Sequence, residues 1–250
     1  HRLMDAAEIV FVLLVVALAY LVKGVTGLGG PSVAVPVLAG FMGVEFTVAV
    51  IAIPTAFSNV WLVWENRAEA PGLRRFLVPL VTAGVAGTVL GVWVLVSIDD
   101  QIMSIILGVV IILYIAWYLW KPEAGVDDLT AQRLAWPAGL GGGVLLGSTG
   151  IGAPVIATYV HSLRMARSGF VLGVSVPFLV LGVVQITTLA ALGGYDQERL
   201  VAALAACVPV LIVTPIGMWI GKRISVGVFQ YVVLVVLGIA AVRLLWAGLA

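Results

Sequence analysis

Apolar residues occur along this chain in ten nearly uninterrupted windows, and polar residues are confined to the short stretches between them. The windows cover residues 8–22, 31–42, 47–64, 76–98, 102–120, 134–147, 152–163, 169–192, 200–221 and 226–249. Runs of about 18 or more apolar residues are long enough to cross a bilayer as a helix, whereas shorter runs are more often re-entrant or interfacial. The strict alternation typical of membrane β-strands is not seen. The pattern therefore predicts an all-α integral membrane protein.

The short windows come in two pairs, and a glycine-rich segment joins the members of each pair. These segments are residues 24–31 and residues 147–154. Adding 123 to a residue number maps the first segment onto the second, so that Gly27 corresponds to Gly150. The same offset, and an offset of 130 further along, relates Met42 to Met165, Pro54 to Pro177, Gly87 to Gly217, Gly91 to Gly221 and Gly108 to Gly238. The spacing indicates an internal duplication.

The duplication predicts a first transmembrane repeat over residues 5–121, a linker over residues 122–133 and a second transmembrane repeat over residues 134–250. Each repeat contains a broken or re-entrant helix pair followed by three transmembrane helices. Three full crossings is an odd number, so the second repeat is expected to be inverted relative to the first. Inverted repeats with matching glycine- and proline-broken segments are typical of alternating-access transporters.

Loop cations bear on whether each short pair re-enters the membrane or crosses it as one broken helix. If the pairs are re-entrant hairpins, nine cations fall on one side and three, Arg2, Arg199 and Arg243, on the other. The nine are Arg67, Arg74, Arg75, Lys121, Arg133, Arg164, Arg167, Lys222 and Arg223. If the pairs cross, the split is eight against four. Because Lys and Arg are retained in the cytoplasm, the charge distribution favours the hairpins.

Composition agrees with a chain whose solvent is lipid. Apolar residues make up 62% of the sequence and charged residues 10%, against about 25% charged in an ordinary soluble domain. The mean hydropathy is +1.20. The net charge of +1 gives no indication of a nucleic-acid partner. The single cysteine, Cys207, lies in an apolar run and is expected to be a small buried side chain.

The two breaks are the first candidates for chemistry, because lipid offers no partner for backbone groups that a broken helix leaves free. The helix after each break begins with unpaired N–H groups and a partial positive charge, which together bind anions. Proline suits a first helical turn, and glycine lets a ligand approach the backbone closely. The candidate substrate-binding residues at the breaks are Thr26, Gly27, Gly29, Gly30, Pro31, Ser32, Ser148, Thr149, Gly150, Gly152, Ala153 and Pro154.

Three further polar residues lie within apolar windows or at their ends. Lys23 directly precedes the first break, and a buried cation in a helix bundle is by default a functional candidate. The alternative is a lysine that extends to the membrane surface. Asn59 and Gln185 lie in the middle of predicted spans, where an amide either binds substrate or joins two helices by a hydrogen bond. All three are included in the candidate binding site.

The positions of the acidic residues argue against cation transport and weaken the case for proton coupling without excluding it. Every Asp and Glu lies in a loop or at the edge of a window, whereas cation pathways and carboxylate proton relays usually need one within a span. No cysteine–histidine metal spacing, no nucleophile–base pair and no phosphate-binding loop occurs in the sequence, so no catalytic residue, metal or cofactor is expected. This favours transport of a small anion, and an anion channel remains the alternative because it can use the same anion-binding breaks.

The breaks at residues 27–31 and 150–154 resemble the Gly-x-Gly-Gly-Pro-like breaks of the TauE/SafE sulfite exporter family. The second break departs from that motif, because Ala153 stands where the first break has Gly30. The resemblance covers essentially the whole chain. It implies a multi-pass permease of the bacterial inner membrane that exports sulfite or organosulfonates by a secondary mechanism, without a cofactor. A permease for another small anion, such as sulfate, thiosulfate or a carboxylate, is the alternative. The expected partners are the anion and the lipid bilayer, and a homodimer is compatible with the sequence.

Overall fold

The computed structural model describes residues 6–27, 29–120, 126–221 and 226–249, and throughout these residues the regular structure is helical. Ten helices follow one another: α1 (Ala6–Thr26), α2 (Gly30–Met42), α3 (Val44–Asn66), α4 (Ala70–Ser97), α5 (Asp100–Trp120), α6 (Asp128–Thr149), α7 (Ala153–Ser162), α8 (Arg167–Ala191), α9 (Gln197–Gly221) and α10 (Val226–Leu249). A single 3₁₀ turn, Arg67–Glu69, separates α3 from α4. The prediction of an all-α chain is confirmed.

Length and composition identify the helices that are able to cross a membrane. Among the described residues four segments qualify, namely Ile9–Thr26, Val44–Ser97, Arg167–Ala191 and Gln197–Gly221, and the second of them contains both α3 and α4. Shorter apolar helices occupy Gly30–Met42, Asp100–Ala116 and Leu234–Leu249. Many large apolar side chains face outward, for example Leu18, Trp64 and Ile239. Such a surface is stable in lipid and not in water, so this is a multi-pass membrane protein.

The first break turns the chain back on itself. The rings of Phe11, near the start of α1, and Phe41, near the end of α2, lie 5.0 Å apart. At the other end of the pair, a Cβ atom added to Gly30 would lie 3.1 Å from the ring of Tyr20. Helices α1 and α2 therefore run antiparallel, as a hairpin.

The second break has the same form. The hydroxyl of Tyr159 in α7 donates to the carbonyl of Ala131 in the first turn of α6, at 3.0 Å. The amide of Val126, just before α6, donates to the carbonyl of Ser162 at the end of α7, at 3.3 Å. The chain thus leaves the second hairpin beside the point where it entered. In both pairs the two helices fold back on one another as a hairpin, and neither pair continues in line as one broken helix.

Corresponding helices from the two halves of the chain run in opposite directions. Ser168, at the start of α8, donates to Glu69, which follows α3, at 2.8 Å. Arg199, beyond the end of α8, pairs with Glu45 at the start of α3 at 2.7 Å. Helices α3 and α8 are therefore antiparallel. Helices α5 and α10 are also antiparallel, because Gly108 lies beside Leu245 while Gly248 lies beside residues 101–105.

Small residues hold each hairpin against a crossing helix, and the Gly-x-x-x-Gly spacings at residues 87–91 and 217–221 of the sequence predict such close packing. A Cβ atom added to Gly87 in α4 would come within 2.2 Å of the Leu140 carbonyl oxygen in α6. The corresponding contact in the other half lies between α9 and α1, where a Cβ atom on Gly217 would come within 2.4 Å of the Leu21 carbonyl oxygen. Backbones approach this closely only where side chains are absent. The hairpins are consequently fixed along the helices that cross beside them.

The start of α6 differs from the prediction. The apolar window began at residue 134, whereas α6 begins at Asp128, inside the predicted linker 122–133. The side chain of Asp127 accepts from the Thr130 amide at 3.2 Å and caps the helix. Hydrogen bonds from Thr130 also hold the pKa of the Asp127 carboxyl below its usual range. A polar first turn has no hydropathy signal, so hydropathy placed the start of α6 too late. Residues 122–125 lie outside the described residues.

Those cations of the predicted cytoplasmic side that fall within the described residues lie at one end of the bundle. Arg75, near the start of α4, pairs with Asp128 at the start of α6 at 2.6 Å, and the contact between Ser168 and Glu69 lies at the same end. Arg199 and Arg243 lie at the opposite end, with Arg243 stacked on Phe41. Arg2, Lys121, Lys222 and Arg223 lie outside the described residues.

We expect Gly143→Ala to destabilise the protein by roughly 1–3 kcal/mol, because its Cβ atom would lie 2.3 Å from the Gly84 carbonyl oxygen and force α4 away from α6. Gly141→Ala is the matched control, since a Cβ atom there meets nothing within 4 Å in the same helix. Alanine should leave that position unchanged or stabilise it by up to about 1 kcal/mol. Thermal unfolding of the purified variants in detergent measures both. Equal midpoints would contradict the packing described above.

Candidate anion site between the two breaks

Both breaks border one internal cavity between the hairpins. The first half of the chain contributes Lys23, Gly27, Gly29, Pro31, Ser32 and Thr55, and the second half contributes Leu146, Gly150, Ile151, Gly152, Ala153 and Phe178. In this conformation the cavity has a volume of about 20 Å³, which is enough for one or two water molecules. The two glycine segments are thus brought together, with a small space between them.

Glycine is required in the first break because of its backbone conformation. Gly27 has φ +79° and Gly29 has φ +105°, both in the left-handed region that other residues rarely adopt. Gly29 also precedes the first turn of α2, where no side chain caps the helix and a proline occupies the first turn. The N–H groups of Gly30 and Ser32 in that turn therefore have no capping side chain.

The second break differs in detail. Gly150 has φ +71° and closes α6, since its amide donates to the Leu146 carbonyl at 2.8 Å. Gly152 precedes α7 with φ −89°, and again no side chain caps the new helix. A Cβ atom on Gly152 would lie 3.2 Å from the ring of Phe178, on the wall of the cavity. A small residue is needed at position 152 for space rather than for conformation.

Lys23 lies inside the protein and does not extend to a membrane surface. Only 3% of the residue is exposed, and its ammonium group donates to Ser58 Oγ at 2.7 Å and Asn59 Oδ1 at 2.8 Å. In the part of the chain that the structure describes, no carboxylate pairs with it. An ammonium group has three N–H donors, and these contacts use two of them. A buried cation held only by neutral oxygens retains a strong attraction for an anion.

The polar groups around Lys23 have more donors than acceptors. Ser58 Oγ donates to the Thr55 carbonyl at 2.8 Å, and Thr55 Oγ1 donates to the Ile51 carbonyl at 2.6 Å while Tyr20 contacts it from α1. The amide nitrogen of Asn59 is buried and has no hydrogen-bond partner. An unpaired buried donor is costly, so an acceptor from a ligand would stabilise this cluster.

Several predicted site residues lie behind the cavity wall. The hydroxyls of Thr26, Ser148 and Thr149 donate to carbonyls four residues back in their own helices, at 3.0, 2.8 and 2.7 Å. Those protons are already used within the helix ends. Gln185 donates to the Leu146 carbonyl at 2.7 Å and joins α8 to α6. The further predicted residues outside the lining are Gly30, Asn59 and Pro154, of which Asn59 binds the lysine that lines it.

Four lining residues were not among the predicted site residues: Thr55, Leu146, Ile151 and Phe178. The repeat offset contains the signal that would have found one of them, because adding 123 takes the predicted Lys23 to Leu146. The same offset relates Thr55 to Phe178, but neither of these two residues was predicted, so neither could point to the other. Ile151 lies inside the second break itself. Residue type gave no signal for the apolar lining residues, because an apolar side chain does not itself bind an anion.

In the part of the chain that the structure describes, the helices form two hairpins whose breaks meet beside a buried lysine, and four segments are long and apolar enough to cross a membrane. These features are those of a multi-pass membrane protein. The family model for the sulfite exporter TauE/SafE matches residues 12–244, nearly the whole chain. The chain belongs to the TauE/SafE sulfite exporter family, whose members are membrane transporters. No significant match was found among curated proteins or among solved structures.

We expect Gly29→Ala to destabilise the protein more than Gly29→Asn does, although alanine is the smaller residue. A Cβ atom at this position has room, since its nearest neighbour is 3.5 Å away, so the difference reports backbone strain. Alanine in the left-handed region costs about 1–2 kcal/mol, and asparagine costs less. The midpoint of thermal unfolding measures this difference in stability between the two variants. Gly238→Ala is the control, because position 238 is helical and a Cβ atom there has open space. If Gly29→Ala were the more stable variant, the break would not need its left-handed turn.

Proposed function

We propose that this protein is a secondary transporter, an exporter of small sulfur-containing anions such as sulfite or organosulfonates. The observation that carries the proposal is the buried Lys23, without a carboxylate partner in the described chain, on a cavity that both breaks border. The family relationship supports the sulfur-anion class. The uncapped first turns of α2 and α7 add N–H donors of the kind that bind oxyanions.

The substrate oxyanion is held by Lys23 together with the free amide of Asn59 and the first-turn amides of the breaks. A charge-assisted hydrogen bond from an ammonium group to an oxyanion is roughly twice as strong as a neutral one. Because one cation lines the cavity, a single negative charge is balanced there. The anion replaces the acceptor that the donor-rich cluster lacks.

Alternating access follows from an inverted pair of repeats, residues 5–121 and 134–250. The antiparallel packing of α3 with α8 and of α5 with α10 is what such inversion would produce. The cavity, which in this conformation has space for one or two waters, must widen to take an anion. Movement of one hairpin and its crossing helix away from the other would widen it towards one side of the membrane at a time.

Asn59→Asp is expected to abolish transport while preserving the fold. It places a carboxylate of nearly the same shape beside the Lys23 ammonium group, 2.8 Å away, which then no longer attracts an anion. Two unit charges about 4 Å apart interact by about 4 kcal/mol at an effective dielectric constant of 20, so anion affinity should fall at least tenfold. Counterflow of labelled sulfite and of an alkylsulfonate into proteoliposomes measures this.

Gln197→Glu, which adds the same charge on the exposed first turn of α9, is the matched control and should transport normally. Counterflow by wild type, in which unlabelled anion inside accelerates uptake, is expected of a carrier. Flux without counterflow would contradict the carrier and favour the channel. Counterflow that Asn59→Asp leaves unchanged would exclude Lys23 from the substrate pathway.

The hairpin topology predicts opposite sidedness for two exposed positions in a bacterial inner membrane. Ala68 lies at the end of the bundle that carries Arg67 and Arg75, and Gln197 lies at the other end. With the native Cys207 replaced by serine, Gln197→Cys should react with an impermeant maleimide added to intact cells. Ala68→Cys should react only after the membrane is broken. Labelling in the reverse order would overturn the assignment of the arginine-rich end to the cytoplasm.

A further inference from the structure

The two halves of the chain line the cavity with opposite chemistry. Wherever a lining side chain from the first half is polar, the residue at the 123 offset in the second half is apolar. Lys23 corresponds to Leu146, Thr55 corresponds to Phe178, and Ser32 corresponds to Val155. Behind the wall the same holds for Ser58 and Asn59, whose counterparts are Leu181 and Gly182.

The polar side is therefore confined to one half of the cavity. Lys23, Ser32 and Thr55 come from α1, α2 and α3, and the hydrogen bonds of Ser58 and Asn59 bind Lys23 to α3. The other half contributes the side chains of Leu146, Ile151, Ala153 and Phe178 from α6, its break, α7 and α8. No side chain among these four is able to form a hydrogen bond. A symmetric inorganic anion bound at Lys23 would place some of its oxygen atoms against this apolar wall, where no side chain donates a hydrogen bond to them.

We infer that the apolar wall formed by Leu146, Ile151, Ala153 and Phe178 is a subsite for the carbon substituent of a monovalent oxyanion whose charged group binds at Lys23. This inference rests on the proposed function and narrows its substrate class to anions with a short apolar substituent, such as alkylsulfonates. An inorganic dianion fits poorly, because one lysine balances one charge and the facing wall offers its oxygens no donor side chain. The repeats have thus diverged into a charged half and an apolar half.

Alkyl chain length provides the test, with thermal stabilisation of the purified protein as the measure of affinity. The ligands are methane-, ethane- and propanesulfonate, with sulfite and sulfate for comparison. Each buried methylene should lower Kd about fourfold. The matched ligand control is 2-hydroxyethanesulfonate, which has the shape of propanesulfonate but ends in a hydroxyl group. We expect it to bind at least tenfold more weakly than propanesulfonate.

Variants locate the subsite. Phe178→Thr gives the second repeat the residue that the first repeat has at the corresponding position, Thr55. This variant should remove the dependence of affinity on alkyl chain length, while Phe178→Leu should keep it. Lys23→Gln should weaken binding of every anion in the series. If Phe178→Thr does not fold, the comparison of propanesulfonate with 2-hydroxyethanesulfonate on the wild-type protein decides.

The outcomes separate this inference from the proposed function. If sulfite or sulfate binds as tightly as propanesulfonate, or if the chain-length dependence survives in Phe178→Thr, the apolar subsite is wrong. The proposed function would still stand in either case, provided that Lys23→Gln loses binding of the anions. If no anion of the series stabilises the wild-type protein, or if binding is indifferent to Lys23→Gln, the proposed function fails and the subsite with it.

Discussion

The burial of the Lys23 ammonium group, held by neutral oxygens alone, is the constraint on which the rest of the site depends. Transfer of an uncompensated charge into an apolar interior is among the most costly events in protein folding. Here Ser58 and Asn59 reduce that cost without removing the charge, and the free amide of Asn59 adds a second unused donor. Such a cluster is unfavourable as permanent structure and suited to a ligand that supplies negative oxygen atoms.

The broken helices belong to the same energetic argument. Each interruption frees backbone groups within a helix bundle, and these survive in a membrane only where protein or a water-filled cavity faces them. The close glycine contacts of α1 with α9 and of α4 with α6 hold the hairpins in place, so that both breaks meet one cavity. Packing that looks purely structural thus determines where the free amides lie.

The fold was largely predictable because lipid imposes strong rules on a sequence. Long apolar windows predicted the helices, the proline and glycine pairs predicted the breaks, and Gly87 and Gly217 predicted the close crossings. Hydropathy alone did not find the polar first turn of α6, which depends on the Asp127 cap. Nor did it decide whether the two helices of a pair fold back or continue in line, which required the contact of Phe11 with Phe41.

The site was predictable only in part, for a different physical reason. Residue type indicated that Lys23 and the break glycines were special, and Lys23 and all of the predicted break glycines except Gly30 line the cavity. Residue type does not reveal which hydroxyls are already engaged, as those of Thr26, Ser148 and Thr149 are by their own helices. It also gives no signal for an apolar wall residue such as Phe178, whose role follows only from what faces it. Comparison between the repeats recovers part of that information.

An experimental structure of the protein with selenite, a heavier relative of sulfite that scatters X-rays anomalously, tests the central claim most directly. The account predicts an anomalous peak between the residue 27–31 and residue 150–154 segments, placed so that an oxygen bonded to the selenium accepts a hydrogen bond from Lys23 Nζ. A peak elsewhere in the bundle, with the space beside Lys23 closed by protein side chains, would contradict it.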